Sequence, residues 1–363
     1  MLVVKSLFWG SAAALAWTHV GYPVAAAALA RVRGRSVEGA AWEPTVTVIV
    51  PAYNEETVIE RRIENLRALD YPADKLELVV TSDASTDRTV ALAEAAGARV
   101  LRNPRGGKVA AQDRAVAESS AEIVAFSDAN ATWAPDALRK LVRNFADPDV
   151  AYVCGKLVLQ RADGTNREGA YWRYELWLRE SESRLHSVTG GNGAIYAVRR
   201  ADYAEVDSRF GHDLSFPYLM VQRGRRAVFG ADALAYEKPT PDIETEYRRK
   251  VRMFEHCWLI TLRGRMLRGL PPLYLASMVS HRVLRYGSGI LHLVLLGANL
   301  ALVREGPVYV VALVGHAGFL LLAVARPGLP RYYALVTWAT VVALRNYLRR
   351  GVPPTWQAAE GTR

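Results

Sequence analysis

TVTVIVPAYNE, residues 45–55, decides the fold. Its first eight residues, 45–52, are β-branched and almost continuously apolar, as in a strand buried on both faces of a parallel sheet. PAYNE then turns polar, and ETVIERRIENLRAL (56–69) sets Val58, Ile59, Ile63, Leu66 and Leu69 at helical spacing, completing a βα unit. Working outward, the alternation recurs as strand 76–81, helix 86–96, strand 98–102, helix 107–119, strand 122–127 and helix 135–145. Strands separated by helices predict an α/β fold: a doubly wound, mostly parallel sheet with ligands beyond the carboxyl ends of its strands. From 150 to 235 the pattern is mixed, with strands expected at 151–153 and 193–198 and an aromatic helix at 171–184.

Both flanks of this domain are apolar. Residues 2–30 carry one charge, Lys5, residues 306–325 carry none, and 286–303 are also uncharged, so each reads as a transmembrane helix. The run 332–344 is a shorter candidate. The N-terminal stretch exceeds the apolar core of a signal peptide and reads as an anchor. Arg31, Arg33 and Arg35 follow it and place the domain on the cytoplasmic face of a multi-pass cell-membrane protein. Of 46 basic and 36 acidic residues, 15 and 5 fall in 241–350, leaving 31 of each elsewhere. That basic half interleaves with Trp, Leu and Met and lacks any nucleic-acid-binding signature, so its expected partner is anionic membrane lipid and not nucleic acid. The chain divides into a transmembrane helix (1–30), a linker (31–44), the α/β domain (45–245), an amphipathic interfacial helix (246–270), a transmembrane region of two to three spans (271–350) and a tail (351–363). Arg349 and Arg350 favour a cytoplasmic C-terminus, whereas four spans put it outside. Cys154 and Cys257 match no metal or redox spacing.

The chemistry gathers at the strand ends: PAYNE (51–55), SDASTD (82–87), RGGK (105–108) and SDAN (127–130). No Gly-rich dinucleotide fingerprint follows the first strand and no GxxxxGK[ST] is present, which argues against a dehydrogenase or a P-loop NTPase. Asn54 and Glu55 suit a helix start, Asp83 an Asx turn and Lys108 a solvated surface, yet four polar clusters in register point to one site.

In this order and spacing the motifs resemble the family 2 glycosyltransferases, the inverting group that includes cellulose, hyaluronan and poly-N-acetylglucosamine synthases, over about residues 45–260. The resemblance implies a GT-A-like nucleotide-sugar-binding fold and transfer from a nucleotide-sugar, UDP-linked by preference, to a lipid-linked or glycan acceptor. It assigns Pro51, Ala52, Asn54, Glu55, Asp83, Lys108 and Asp128 to the donor. Asp128 and Asn130 stand at the family's DxD motif and would hold Mg²⁺ or Mn²⁺, with Asn a departure at the third place. In FGHDLSFP (210–217), Asp213 matches the family's catalytic acid and His212 replaces its neighbour on the acceptor side, joined there by Gly191 and Asn192 of GGNGAIYAVRR (190–200). RKVRM (249–253) keeps the arginine of the QxxRW box, Arg252, to stabilise the departing diphosphate, but has Met253 for Trp, which favours a short product over a processive exopolysaccharide. A catalytically inert nucleotide-binding scaffold is the reading from another class, opposed by the joint presence of Asp83, Asp128, Asp213 and Arg252.

Overall fold

The computed structural model describes residues 1–37, 39–160 and 169–355; most of the expected tail, 356–363, lies outside the described residues. Eight strands, β1 (Val46–Ala52), β2 (Leu76–Asp83), β3 (Arg99–Asn103), β4 (Ile123–Phe126), β5 (Thr132–Trp133), β6 (Val150–Leu159), β7 (Tyr196–Arg199) and β8 (Arg226–Glu237), form one sheet in the order β3-β2-β1-β4-β7-β6-β8-β5. The first four predicted strands are β1 to β4, all parallel, and those expected at 151–153 and 193–198 fall in β6 and β7. β7 enters antiparallel between β4 and β6, so the sheet is mixed from there on.

The reading of β1 as doubly buried holds: Val48 and Val50 join the core on one face and Ile49 the core on the other. On the first face lie Val58, Ile59, Ile63, Leu66 and Leu69, the five residues spaced for a helix, which is formed over Ile59–Arg67. On the second, Phe126, Tyr152, Tyr196 and Phe216 make an aromatic layer. Trp133 is 1% exposed and its indole N–H donates to the Ala194 carbonyl at 2.9 Å, tying β5 to the loop before β7. β8 was not predicted; its pairing with β6 shifts register between Gly155 and Lys156, a bulge that breaks the alternation expected of a strand.

The flanking segments depart from the sequence expectations. Leu2–Arg33 is one helical stretch of 32 residues with a π turn at Trp17–Gly21, so the first three residues of the expected linker are helical. Among the described residues only this helix and Pro307–Ala325 are long and apolar enough alone to cross a membrane. The expected span 286–303 is instead the second limb, Ser288–Leu302, of a helix pair bent by 65° against Pro272–Tyr286, and counts as a span only if the pair is taken together. The expected span 332–344 belongs to Leu329–Arg350, a helix that docks on the protein because its face of small residues, Ala339, Thr340 and Ala343, fits against Trp258 of helix Ile243–Arg263. The Trp258 indole N–H donates to the Thr340 carbonyl at 2.9 Å, and Glu255 accepts from Asn346 (2.8 Å) and Arg350 (3.0 Å). Helix Ile243–Arg263 starts three residues before the expected 246 because Asp242 caps it, accepting the Thr245 N–H at 2.7 Å.

Trp133→Ala removes the largest fully buried side chain among the described residues and a buried hydrogen bond, and should cost about 3–5 kcal/mol. Thermal unfolding of the variant in detergent, expected well below the wild-type midpoint, measures it.

Candidate active site

Parallel pairing brings the ends of β1, β2, β3 and β4 to one edge of the sheet. Pro51 and Ala52 are the last rungs of β1, opposite Thr81 and Ser82. Asn54 adopts a left-handed backbone (φ 55°) and its side-chain oxygen accepts the Thr86 N–H at 2.9 Å, while the Glu55 N–H donates to Thr89 Oγ1 at 2.7 Å. These residues clamp the loop after β2; the helix begins only at Ile59, so they do not cap it. Asp83 is buried and holds the next loop, accepting from the Gly106 and Gly107 N–H groups at 2.7 and 3.0 Å and pairing with Arg105 at 2.5 Å. The Arg105 guanidinium lies over the Tyr53 ring, 3.3 Å from its centre. Both residues stand inside motifs quoted above, although neither was singled out.

Lys108, at the start of the helix after β3, is ion-paired with Asp128 at the end of β4. Burial opposes its charge, but Asp128, Asp213 and Glu237 outweigh that and hold its pKa above the ordinary lysine value. Gly193 makes room for this pair: a Cβ there would stand 3.1 Å from Asp128 Oδ2 and 3.2 Å from Lys108 Nζ. Beneath it Arg62, fully buried, donates to Ser127 Oγ at 2.6 Å; burial depresses its pKa to about 9, against the pull of Asp128 and Glu237. Glu237, the last residue of β8, was missed along with its strand; burial and then the Asp128 charge push its pKa up to about 8.

Asp213 is the second residue of helix His212–Gln222, and its carbonyl accepts the Gly191 N–H at 2.7 Å. Burial raises the pKa of its carboxyl, Lys108 lowers it and Asp128 raises it again. His212, expected beside it on the acceptor side, is a correction: it faces the aromatic layer, stacked on Phe216 at 4.2 Å with its Nδ1 3.0 Å from the Tyr196 hydroxyl. A Cβ on Gly191 would overlap the Tyr152 hydroxyl, and the Asn192 amide is used within the chain, donating to the Gly155 carbonyl at 2.7 Å and accepting the Ile195 N–H at 3.1 Å. These two expected acceptor-side residues therefore shape the loop 190–195.

Arg252 lines a cleft of about 870 Å³ with Arg209, Arg248, His256, Arg350 and Val352. Burial and Arg249 lower its pKa, offset in part by Glu255. Met253 packs among the partly buried residues between helices Ile243–Arg263 and Leu329–Arg350.

Among the described residues no group of three or more His, Cys, Asp or Glu side chains is placed to hold a metal ion. Asp128 and Asn130 offer one carboxylate and one amide oxygen, hard donors that fit Mg²⁺ or Mn²⁺ provided the remaining ligands come from a diphosphate and water.

Residues 47–206 match the family model described as glycosyl transferase family 2. These residues form a family 2 glycosyltransferase domain. Two curated relatives are a beta-monoglucosyldiacylglycerol synthase of Synechocystis sp., 32% identical over 163 residues (42% of this chain, 33% of the relative), and an N-acetylglucosaminyltransferase of Rhizobium meliloti, 26% identical over 291 residues (69% and 66%). The chain thus spans a third to just under two thirds of these relatives' lengths. A solved mannosyltransferase from Pyrobaculum calidifontis, in complex with GDP-Man and Mn²⁺, aligns with a TM-score of 0.73 at 25% identity, covering 94% of this chain and 99% of that one. The glycosyltransferase domain has the α/β fold that the strand pattern implied, in the GT-A-like form that the resemblance implied.

Burial, then Lys108, depresses the His212 pKa to about 3. The folded protein therefore keeps a neutral imidazole that the unfolded chain would protonate below its ordinary value of about 6.5, so stability falls with acidification from there toward pH 3. Between pH 6.5 and 5 this amounts to about 2 kcal/mol. His212→Phe abolishes the titration, so its deficit in melting temperature against wild type, present at pH 7.5, should shrink by pH 5.

Proposed function

We propose that this chain is an inverting glycosyltransferase that moves a sugar from a nucleoside-diphosphate sugar to a lipid-linked or glycan acceptor at a membrane surface. The observation that carries the reading is the junction of Asp128, Lys108 and Asp213 at the carboxyl edge of the sheet, with Gly193 held against the ion pair. Asp213 is the base: its raised pKa suits it to take the proton of an acceptor hydroxyl as that oxygen attacks the anomeric carbon. Lys108, and Arg252 from the wall of the cleft, face the charge that develops on the departing nucleoside diphosphate. Asp128 and Asn130 would hold the divalent ion, which when bound neutralises charge on the donor diphosphate. Asp83 fixes the Gly-Gly loop over which the donor lies.

The similarity to a mannosyltransferase in complex with GDP-Man and Mn²⁺ supports a nucleotide-sugar donor and leaves GDP- and UDP-sugars as the two families to try. Membrane attachment is supported by Pro307–Ala325, which exposes Val310, Val311, Val314, Leu321 and Val324, a surface suited to lipid. Met253, packed between helices and no aromatic platform, supports a short product.

Release of nucleoside diphosphate from GDP-mannose, UDP-glucose and UDP-N-acetylglucosamine, with and without Mn²⁺, tests the reading; no release from any donor sinks it. Asp213→Asn should lower turnover by about 10² to 10⁴ with donor affinity unchanged, and near-normal turnover removes it from the mechanism. Asp128→Ala should abolish Mn²⁺-dependent nucleotide binding by calorimetry; unchanged binding overturns that assignment.

A further inference from the structure

A buried group of charges stands where the glycosyltransferase domain meets its flanking helices. Glu175 and Glu182 come from helix Ala170–Leu185, and His281, Arg282 and Arg285 from the bent stretch Pro272–Tyr286, whose middle, Met278–Val283, is a π-helical turn. His281 Nδ1 lies 2.7 Å from Glu182 Oε1, its Nε2 lies 3.4 Å from Glu175, and Arg285 is ion-paired with Glu175. From the N-terminal helix the Tyr22 hydroxyl donates to Glu182 at 2.7 Å. Burying so many charges is a poor way to gain stability, and π turns concentrate at functional places.

The group converges on Thr189. Its hydroxyl donates to Glu182 Oε2 at 2.9 Å, lies 3.0 Å from His281 Nδ1 and accepts the Arg282 Nε–H at 3.0 Å; the same N–H reaches the Thr189 carbonyl at 3.1 Å. The Arg282 guanidinium also lies so close to Gly190 that a Cβ there would meet it at 2.5 Å. One residue on, Gly191 donates to the Asp213 carbonyl at 2.7 Å, and Gly193 abuts Asp128 and Lys108. Contacts thus run from the bent helix through residues 189–193 to the backbone of Asp213 and the side chain of Asp128.

We propose that Arg282 and Thr189 are positioning residues: they fix the path of residues 189–193 and thereby the placing of Asp213 against Asp128, so that the seating of the bent helix pair controls turnover. The proposal rests on Asp213 being the base. Small displacements of a reacting group cost on the order of 10²-fold in rate, so the link acts on kcat and leaves donor binding alone.

The test uses the full chain in detergent, with GDP-mannose or UDP-glucose and Mn²⁺ as probes and water standing in for the acceptor. Thr189→Val removes the hydroxyl at nearly constant shape, Thr189→Ser keeps it, and Arg282→Lys keeps the charge but loses the Nε–H. Thr189→Val and Arg282→Lys should lower kcat by about 10- to 10²-fold with donor KM within about twofold, and Thr189→Ser should retain near-native kcat. Wild-type kcat in Thr189→Val, an equal defect in Thr189→Ser, or a loss explained by the unfolded fraction in a thermal-shift assay overturns the proposal. Asp213→Asn in parallel separates the two failures: inactive Asp213→Asn beside active Thr189→Val sinks the positioning role alone, whereas active Asp213→Asn sinks the base assignment and this proposal with it.

Discussion

Everything at the candidate site depends on β1 being hydrogen-bonded on both sides by parallel neighbours, β2 and β4. Parallel pairing sends every strand's polar end to the same edge, and burial on both faces leaves the first strand, Thr47 apart, apolar up to that end. PAYNE, SDASTD and SDAN are thereby gathered into one place by backbone geometry before any side chain is chosen. The loops are then fastened to each other by the side chains that give the motifs their character: Asn54 to Thr86, and Asp83 to Gly106 and Gly107. The motif residues are therefore architecture as well as chemistry, and a substitution at Asp83 or Asn54 disturbs neighbouring loops along with any ligand.

Electrostatics completes what the sheet begins. Lys108 sits among three carboxylates, and the buried Arg62 lies below. One cation cannot satisfy Asp128, Asp213 and Glu237 equally; the pair with Asp128 is made, and Asp213 and Glu237 are left with raised pKa values. A second positive charge entering this edge would lower both raised values, which is the electrostatic setting a cation-bearing diphosphate would meet.

The first half of the domain was legible because β1 and β4 are almost wholly apolar and the helix after β1 keeps its period, so Val58, Ile59, Ile63 and Leu66 could be assigned to the core from spacing alone. β8 was not, since the bulge opposite Gly155 and Lys156 interrupts its alternation, and Glu237 was lost with it. His212 was misplaced for a different reason: adjacency to Asp213 suggests a shared role, but consecutive residues at a helix start point in different directions, and only the packing of Phe126, Tyr196 and Phe216 shows which way the imidazole turns. The run 332–344 is only a short apolar candidate, and its helix, Leu329–Arg350, lays the small residues Ala339 and Ala343 against Trp258. The charges around Thr189 had no local signature, being drawn from distant segments, such as Glu182 and His281 at 99 residues apart, that meet only in three dimensions.

The N-terminal helix has 32 residues and so a length of about 48 Å, where a hydrocarbon core takes up about 30 Å. Its first half packs with the apolar helices through Phe8, and its second half is bolted to the domain through Tyr22 and Ala26 against Leu178. On the proposed membrane reading it is a ruler. It sets the height of the catalytic edge over the lipid, so that an acceptor is selected by how far its reactive hydroxyl stands from the bilayer as well as by its chemical identity.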